Sequence, residues 1–223
     1  LLPSHGQLSV DEIYRVLYTE FQGRICDLVL YPESDDDVRN IVALSIEHDV
    51  CNVPYGGGTN VSGALALPKD EDRVIVSVDM RRMNRILELD EENLTVTVQA
   101  GIEGKELELR LDELGYTSGH DPDSIELSTL GGWIATNASG MKKNRYGNIE
   151  DIVLEVTMIT PSGEIETKNV TPRNSHGIQT KYLAFGSEGN FGIITKAVLK
   201  VHPRPGVREY GSLVFPSFER GVE

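Results

Sequence analysis

Three consecutive glycines, Gly56, Gly57 and Gly58, are the residues whose type and spacing best suit chemistry. Glycine loses more backbone entropy on folding than any other residue, so three in a row are hard to justify by packing alone. Without Cβ atoms, their backbone N–H groups can approach an anion closely and form a concave nest for phosphate oxygens. An ordinary tight turn is the alternative. The pattern favours a phosphate-binding loop formed by Pro54, Tyr55, Gly56, Gly57, Gly58, Thr59 and Asn60.

Two familiar phosphate motifs do not fit this loop. A Rossmann fingerprint that starts at Gly56 requires glycine or alanine at position 61, where the chain has Val61. A P-loop that starts at Gly58 requires Lys and then Ser or Thr, where the chain has Ala64 and Leu65. The loop is therefore expected to bind phosphate in a third way.

His120 is the candidate for proton transfer. An imidazole with an ordinary pKa, about 6.5, accepts or donates a proton near neutral pH. His120 also lies just before residues 123–129, which include the compact hydroxyls of Ser128 and Thr129. A histidine that is satisfied within a loop is the alternative. The other histidines are interpreted as structural: His5, His48, His176 and His202.

Composition and charge limit the possible classes of protein. The chain has 223 residues, 39% of them hydrophobic, which is ordinary for a globular protein. Its formal net charge of -14 and the absence of a Lys/Arg-rich run argue against a nucleic-acid partner. No stretch approaches the roughly 20 apolar residues of a membrane span, and no signal peptide is visible. Cys26 and Cys51 are expected to be buried thiols in a reducing compartment, and no metal site is predicted.

An α+β arrangement of helices and strands is predicted to position these residues. Helices are expected after a capping box at residues 9–12, after Ser34, and over 102–114, where Gly115 ends the helix. The helix after Ser34 has a predicted buried stripe of Val38, Ile41, Val42 and Leu44. Strands are predicted at 28–30, 50–53, 74–78, 86–89, 94–98, 152–160, 165–167 and 193–201.

Four segments downstream of the glycine loop resemble the vanillyl-alcohol-oxidase-type flavoprotein family. They are residues 123–132, 135–140, 143–151 and 186–195, and the resemblance extends over about 27–203. It implies an α+β fold of two subdomains that hold FAD between them. It also implies a helical lead-in at 1–26, an FAD-binding domain at 27–205 with subdomains of about 27–82 and 83–205, and the start of a truncated C-terminal cap domain at 206–223.

The resemblance implies roles for the matching positions. Residues 54–60 would hold the pyrophosphate, and His120 would be catalytic. Two segments would line the cofactor: Asp123, Ser124, Ile125, Glu126, Leu127, Ser128 and Thr129, then Thr136, Asn137, Ala138 and Ser139. A third would contact the adenosine or ribityl part: Glu188, Gly189, Asn190, Phe191, Gly192, Ile193 and Ile194. Some members attach FAD through a histidine in the glycine loop; Gly58 and Thr59 occupy that stretch here, so FAD is expected to bind non-covalently.

Within the family, residues 119–124 and 140–151 look most like the branch that forms the ether bond of ether lipids in peroxisomes. The implied reaction replaces the acyl chain of acyl-dihydroxyacetone phosphate with a long-chain fatty alcohol, redox-neutrally through a flavin N5 adduct. Its partners would be these lipid substrates, with peripheral membrane association and a homodimer as further expectations. Two alternatives remain open: an FAD-dependent dehydrogenase of D-lactate or glycolate, and a non-catalytic FAD-binding fragment.

Overall fold

The computed structural model of the chain contains two main β-sheets, one parallel and one antiparallel. It describes residues 5–7, 13–14, 17–18, 23–166, 171, 175, 177–207 and 209–223. The chain contains both helices and strands, with several strands and several helices in succession, which confirms the predicted α+β class. The predicted capping box at 9–12, the end of the strand at 165–167 and His176 lie outside the described residues.

The parallel sheet has three strands in the order β1-β3-β2. They are β1 (Leu28–Leu30), β2 (Cys51–Tyr55) and β3 (Ile75–Asp79). Helix α1 (Asp35–Glu47) crosses from β1 to β2, and the Ser34 side chain accepts a hydrogen bond from the backbone N–H of Asp37, as expected for its cap. Val38 and Val42 are buried as predicted. Leu44 is 55% exposed, so its place in the buried stripe was wrong.

The antiparallel sheet has five strands in the order β4-β5-β9-β7-β8, and a two-stranded ribbon pairs β6 with β10. The strands are β4 (Ile86–Asp90), β5 (Thr95–Gln99), β6 (Tyr116–Thr117), β7 (Val153–Thr160), β8 (Gly163–Ile165), β9 (Ile193–Lys200) and β10 (His202–Pro203). The predicted pairing of β4 with β5 and the hairpin of β7 with β8 are both confirmed. Strands up to Asp79 thus form one sheet, and those from Ile86 form the other sheet and the ribbon. The division into subdomains and a cap stays a prediction.

Five further helices and two 3-10 turns complete the structure as described. They are α2 (Gly104–Glu113), α3 (Leu130–Ala135), α4 (Lys143–Tyr146), α5 (Ile149–Ile152), α6 (Phe218–Val222) and the turns Met80–Arg82 and Thr180–Leu183. Gly115 follows α2 with a φ of +88°, which confirms the predicted stop. In the described ranges, no helix is long and apolar enough to cross a membrane.

The main hydrophobic core lies against the antiparallel sheet. Leu107 and Leu111 of α2 and Trp133 and Ile134 of α3 pack into it with the buried side chains of the strands. A second cluster joins α1 and the parallel sheet to Ile159 and to Ile193 at the start of β9. Because this second cluster contains residues of α1 and of both sheets, it joins the two sheets in one core. Their relative position therefore fixes the space between the glycine loop and α3.

Candidate functional site

A cavity of about 470 Å³ is lined by residues of both sheets and of α3. We call it the cleft. Its lining includes most of the predicted cofactor-binding residues: Pro54, Tyr55, Gly56, Gly57, Gly58, Thr59, Asn60, Asp123, Ser124, Ser128, Thr129, Thr136, Asn137, Ala138, Ser139, Glu188, Gly189, Gly192, Ile193 and Ile194. Segments that are far apart in the sequence thus meet around one space. Its volume is within the range of small-molecule and cofactor sites, roughly 300–1,000 Å³.

The glycine loop leaves the carboxyl end of β2, where ligands of parallel sheets usually bind. Pro54 and Tyr55 belong to the strand itself, so the loop proper begins at Gly56. Gly58 has a φ of +67°, a conformation that side-chain-bearing residues rarely adopt. Within the described residues, the backbone N–H groups of 57–60 donate no hydrogen bond. Free N–H groups beside a cavity are what an anion-binding nest requires.

Packing explains Gly56 and Gly57 more directly than the sequence suggested. A Cβ atom on Gly56 would overlap the hydroxyl oxygen of Thr129, and one on Gly57 would overlap the carbonyl oxygen of Leu127. The expectation that packing does not justify these glycines is therefore corrected. The loop has no side chains here because residues 127–129 lie directly against it. This close approach places the glycine loop beside Ser128 and Thr129, which also line the cleft.

The segment before α3 is held by its own side chains. Thr129 caps α3 through a hydrogen bond that its hydroxyl accepts from the Gly132 N–H at 3.3 Å. The buried Trp133 indole N–H donates to the Ser128 hydroxyl at 2.8 Å, and that hydroxyl donates to the Ser124 carbonyl at 2.7 Å. These contacts fix the wall that faces the glycine loop.

Among the described residues, both charged side chains that line the cleft are acidic. They are Asp123 and Glu188, and no Lys or Arg of the described residues accompanies them. Glu188 accepts a hydrogen bond from the Ser62 hydroxyl at 2.6 Å, which ties the end of the glycine loop to the turn before β9. An anionic ligand in this cleft would therefore be bound by uncharged donors, chiefly the backbone N–H groups of the glycine loop.

Five predicted cofactor-binding residues do not line the cleft: Ile125, Glu126, Leu127, Asn190 and Phe191. Leu127 still contacts the glycine loop through its carbonyl group. Asn190 and Phe191 face a second cavity of about 490 Å³, together with residues of α1 and β2. The chain turns between them and Gly189, which has a φ of +84°.

Several cleft residues were missed by the sequence analysis: Val61, Ser62, Ala64, Leu65, Met80, Ala100, Pro122, Gly131, Gly132, Trp133 and Ala135. Gly131 and Gly132 could have been found, because small residues adjoin the predicted segment on its C-terminal side. Met80 gives no such signal, since it reaches the cleft from the end of the neighbouring strand.

His120 lies behind the cleft wall. It is 2% exposed, its ring packs edge-on against Trp133 with centroids 4.7 Å apart, and it is not among the lining residues. Burial lowers the pKa of His120 to about 4, although Asp121 opposes this. The expectation of a proton shuttle with an ordinary pKa is thus corrected, because the ring is neutral at pH 7. Neither ring nitrogen has a hydrogen-bond partner among the described residues.

FAD fits this arrangement. The free N–H groups of the glycine loop suit a pyrophosphate, and the small side chains opposite leave room for a long, flat molecule. The sequence profile of a family described as "FAD binding domain" matches residues 26–168. The chain belongs to this family of FAD-binding domains, and FAD is its cofactor.

Similar proteins narrow the class further. The chain is 46% identical over 199 residues to an alkyldihydroxyacetonephosphate synthase of Caenorhabditis elegans, covering 89% of the chain and 33% of that protein. For the synthase of Dictyostelium discoideum, the identity is 45%, with coverages of 88% and 32%. A solved structure of an alkyldihydroxyacetonephosphate synthase superposes with a TM-score of 0.84 at 42% identity, covering 92% of this chain and 36% of that one.

A glycolate oxidase subunit of Bacillus subtilis is 34% identical, covering 82% of the chain and 38% of that protein. The chain therefore spans about a third of the length of the curated relatives it matches.

Proposed function

We propose that this chain is the FAD-binding part of an alkyldihydroxyacetonephosphate synthase. The observation that carries the proposal is the 42–46% identity to three such synthases over at least 88% of the chain. A glycolate oxidase subunit and three D-lactate dehydrogenases match at 31–34% identity. The proposed reaction exchanges the acyl chain of acyl-dihydroxyacetone phosphate for a long-chain fatty alcohol.

The chain's own residues would hold and orient the cofactor. FAD, when bound, supplies an electron-accepting ring system that ends the exchange in its starting redox state. The N–H groups of 57–60 would bind the pyrophosphate without a covalent bond, since the loop has no histidine. Thr136 and Ser139 line the cleft; their hydroxyls donate to the Gly132 carbonyl at 2.8 Å and to the Asn148 side-chain oxygen at 2.9 Å, and each can still accept a hydrogen bond from the cofactor. Ile193 and Ile194 add an apolar wall that limits water.

His120 is proposed as a residue of the catalytic site. Buried polar atoms without partners are uncommon in folded proteins and often have a functional reason. Both nitrogens of His120 fit this description within the described residues. Because its low pKa keeps the ring neutral, His120 would serve as a neutral hydrogen-bond donor or acceptor. It would hold a proton at one ring nitrogen and offer the other to a partner.

The substrates, location and assembly of the whole protein are proposed from the same similarity to the synthases. We infer lipid substrates with a phosphate group, a peroxisomal location, contact with a membrane surface and a homodimeric assembly. Because the chain spans about a third of the length of these relatives, we infer that the groups which bind the lipid substrates lie in regions that the relatives have in addition.

An exchange assay separates the proposal from its alternatives. The full-length protein is incubated with acyl-dihydroxyacetone phosphate and a radiolabelled fatty alcohol, with no electron acceptor present. The proposal expects one fatty acid released for each ether bond formed. Bleaching of the flavin by D-lactate or glycolate without exchange would instead identify a dehydrogenase. FAD binding with neither reaction would identify a non-catalytic fragment.

A further inference from the structure

Residues 5–7 contact both ends of the glycine loop. His5 packs beside Tyr55, the last residue before the loop, with ring centroids 4.6 Å apart. Gln7 donates a hydrogen bond from its side-chain amide to the carbonyl oxygen of Asn60 at 3.1 Å. We call residues 5–7 the N-terminal strap. It lies some fifty residues before the loop in sequence, so these contacts are tertiary.

The His5 ring is also hydrogen-bonded to a buried carboxylate, that of Asp79. His5 lies 2.9 Å from Asp79 through its Nε2 atom, and Asp79 is fully buried. Burial raises the pKa of Asp79, but hydrogen bonds from Arg81 and His5 outweigh it and lower that pKa below its usual range. The carboxylate is therefore ionised at neutral pH and can only accept, so His5 must donate through Nε2–H.

Asp79 lies at the point where the glycine loop starts. It is the last residue of β3 and the register partner of Tyr55, the last residue of β2. Arg81 donates to the same carboxylate through its guanidinium, and its charge lies 5.5 Å from the centre of the Tyr55 ring. The Tyr55 hydroxyl lies 2.7 Å from the position of a Cβ on Gly58. The Tyr55 ring thus packs against the loop at Gly58, and His5 and Arg81 pack against the Tyr55 ring.

The second contact fixes the far end of the loop. Besides donating to Asn60, the amide of Gln7 accepts a hydrogen bond from the Leu65 N–H at 3.3 Å. The Asn60 side chain in turn accepts from the Ala64 N–H at 3.0 Å. Gln7 therefore closes the turn that follows the loop. Both Asn60 and Leu65 line the cleft.

We propose that the N-terminal strap positions the FAD pyrophosphate loop, with the His5–Asp79 hydrogen bond setting its start and Gln7 setting its end. His5 and Gln7 are positioning residues, because neither lines the cleft. A loop of glycines has little stiffness of its own, so its N–H groups need external support to converge on one anion. The inference rests on FAD occupying the cleft and is independent of the alkyl exchange.

The test measures FAD affinity and apo-protein stability separately. His5→Phe keeps a ring against Tyr55 but removes the donor to Asp79, whereas His5→Gln restores a donor of similar reach. Gln7→Leu removes both hydrogen bonds of the amide at similar volume. The dissociation constant of FAD is measured by titrating apo-protein and following the flavin absorption band. The midpoint of thermal unfolding is recorded without FAD.

We expect His5→Phe and Gln7→Leu each to weaken FAD binding about tenfold, or about 1.4 kcal/mol. His5→Gln should bind within threefold of the unchanged protein. Loss of a donor to the buried Asp79 should lower the apo melting midpoint of His5→Phe, but every variant should remain folded without FAD at the temperature of the titration. His48→Phe is the matched control, because His48 is exposed at the end of α1 and should bind FAD normally.

Unchanged FAD affinity in His5→Phe and Gln7→Leu would overturn the proposal. So would a loss of affinity that only follows a fall in the folded fraction, since that outcome describes a structural segment. Failure of the unchanged protein to exchange acyl for alkyl chains would contradict the proposed function alone, because these titrations do not use that reaction.

Discussion

Gly57 packs against the backbone of Leu127 so closely that a Cβ atom on Gly57 would overlap the Leu127 carbonyl oxygen. Gly57 lines the cleft on the glycine loop, and Leu127 directly precedes Ser128 and Thr129, which line the cleft from the segment that leads into α3. A backbone carbonyl cannot rotate away as a flexible side chain can. The glycine loop can lie this close to the segment before α3 only because position 57 has no side chain.

Gly57→Val should weaken FAD binding at least tenfold, about 1.4 kcal/mol. The added methyl groups would push the loop away from residues 127–129 and carry its N–H groups out of register with the pyrophosphate. Overpacking of this kind also destabilises the fold, typically by about 1–3 kcal/mol, so apo-protein melting is measured beside FAD titration. Gly206→Val is the control, because a Cβ there meets nothing within 4 Å. Normal FAD affinity in folded Gly57→Val would show that the loop is not the phosphate cradle.

Ser128→Ala should destabilise the protein by about 1–3 kcal/mol, the cost of leaving a buried polar group unpaired. The indole N–H of Trp133 would lose its acceptor at 2.8 Å, and the wall before α3 would lose the Ser124 contact. Urea denaturation of the apo-protein measures the change. Ser162→Ala, at an exposed position in the β7–β8 turn, should cost almost nothing. Equal stability of the two variants would contradict the role given to Ser128.

The free energy of unfolding should fall as the pH drops from about 6.5 towards 4, because His120 is buried as a neutral ring. Its folded pKa of about 4 lies below its ordinary value of 6.5, so the unfolded chain takes up the proton first. The neutral His120 ring contributes roughly 3 kcal/mol to the free energy of unfolding, at 1.36 kcal/mol for each pKa unit. This contribution is fully present above the pKa of the unfolded chain. His120→Phe should flatten this part of the profile in denaturant titrations from pH 7 to 4. An unchanged slope would mean that His120 is not buried as a neutral ring.

In the full-length protein, His120→Ala should lower the alkyl-exchange rate by about two orders of magnitude or more, the usual scale for a positioned acid–base group. FAD content should barely change, because the ring does not line the cleft. Turnover and bound flavin are measured on the same preparation, with His48→Ala as the control at an exposed histidine. Wild-type turnover would leave His120 as a structural residue of the wall.

Local signals in the sequence were enough to predict most of the helices and strands. Ser34 and Gly115 marked helix ends correctly because capping depends on neighbouring residues. Helix α3 was missed, since its six residues include two glycines and its stability comes from burying Trp133 and Ile134. Leu44 was misplaced because hydrophobicity alone does not show how wide the buried face of α1 is.

The site was predicted less completely, because its geometry depends on distant partners. The glycine loop was located correctly, but its contact with Leu127 joins positions seventy residues apart and leaves no local signal. His120 was singled out by its motif, whereas its lowered pKa comes from burial against Trp133. Phe191 belongs to a matching segment, yet the turn at Gly189 directs it to the second cavity.

Release of the cofactor by acid tests the central claim most directly. The purified protein should be yellow, and acid precipitation should leave one FAD per chain in the supernatant, identified by chromatography. This result is predicted because the glycine loop offers backbone N–H groups and no histidine for attachment. Flavin that stays with the precipitate would contradict non-covalent binding. Well-folded protein that holds no flavin, and takes up none on titration, would contradict the assignment of the cleft to FAD.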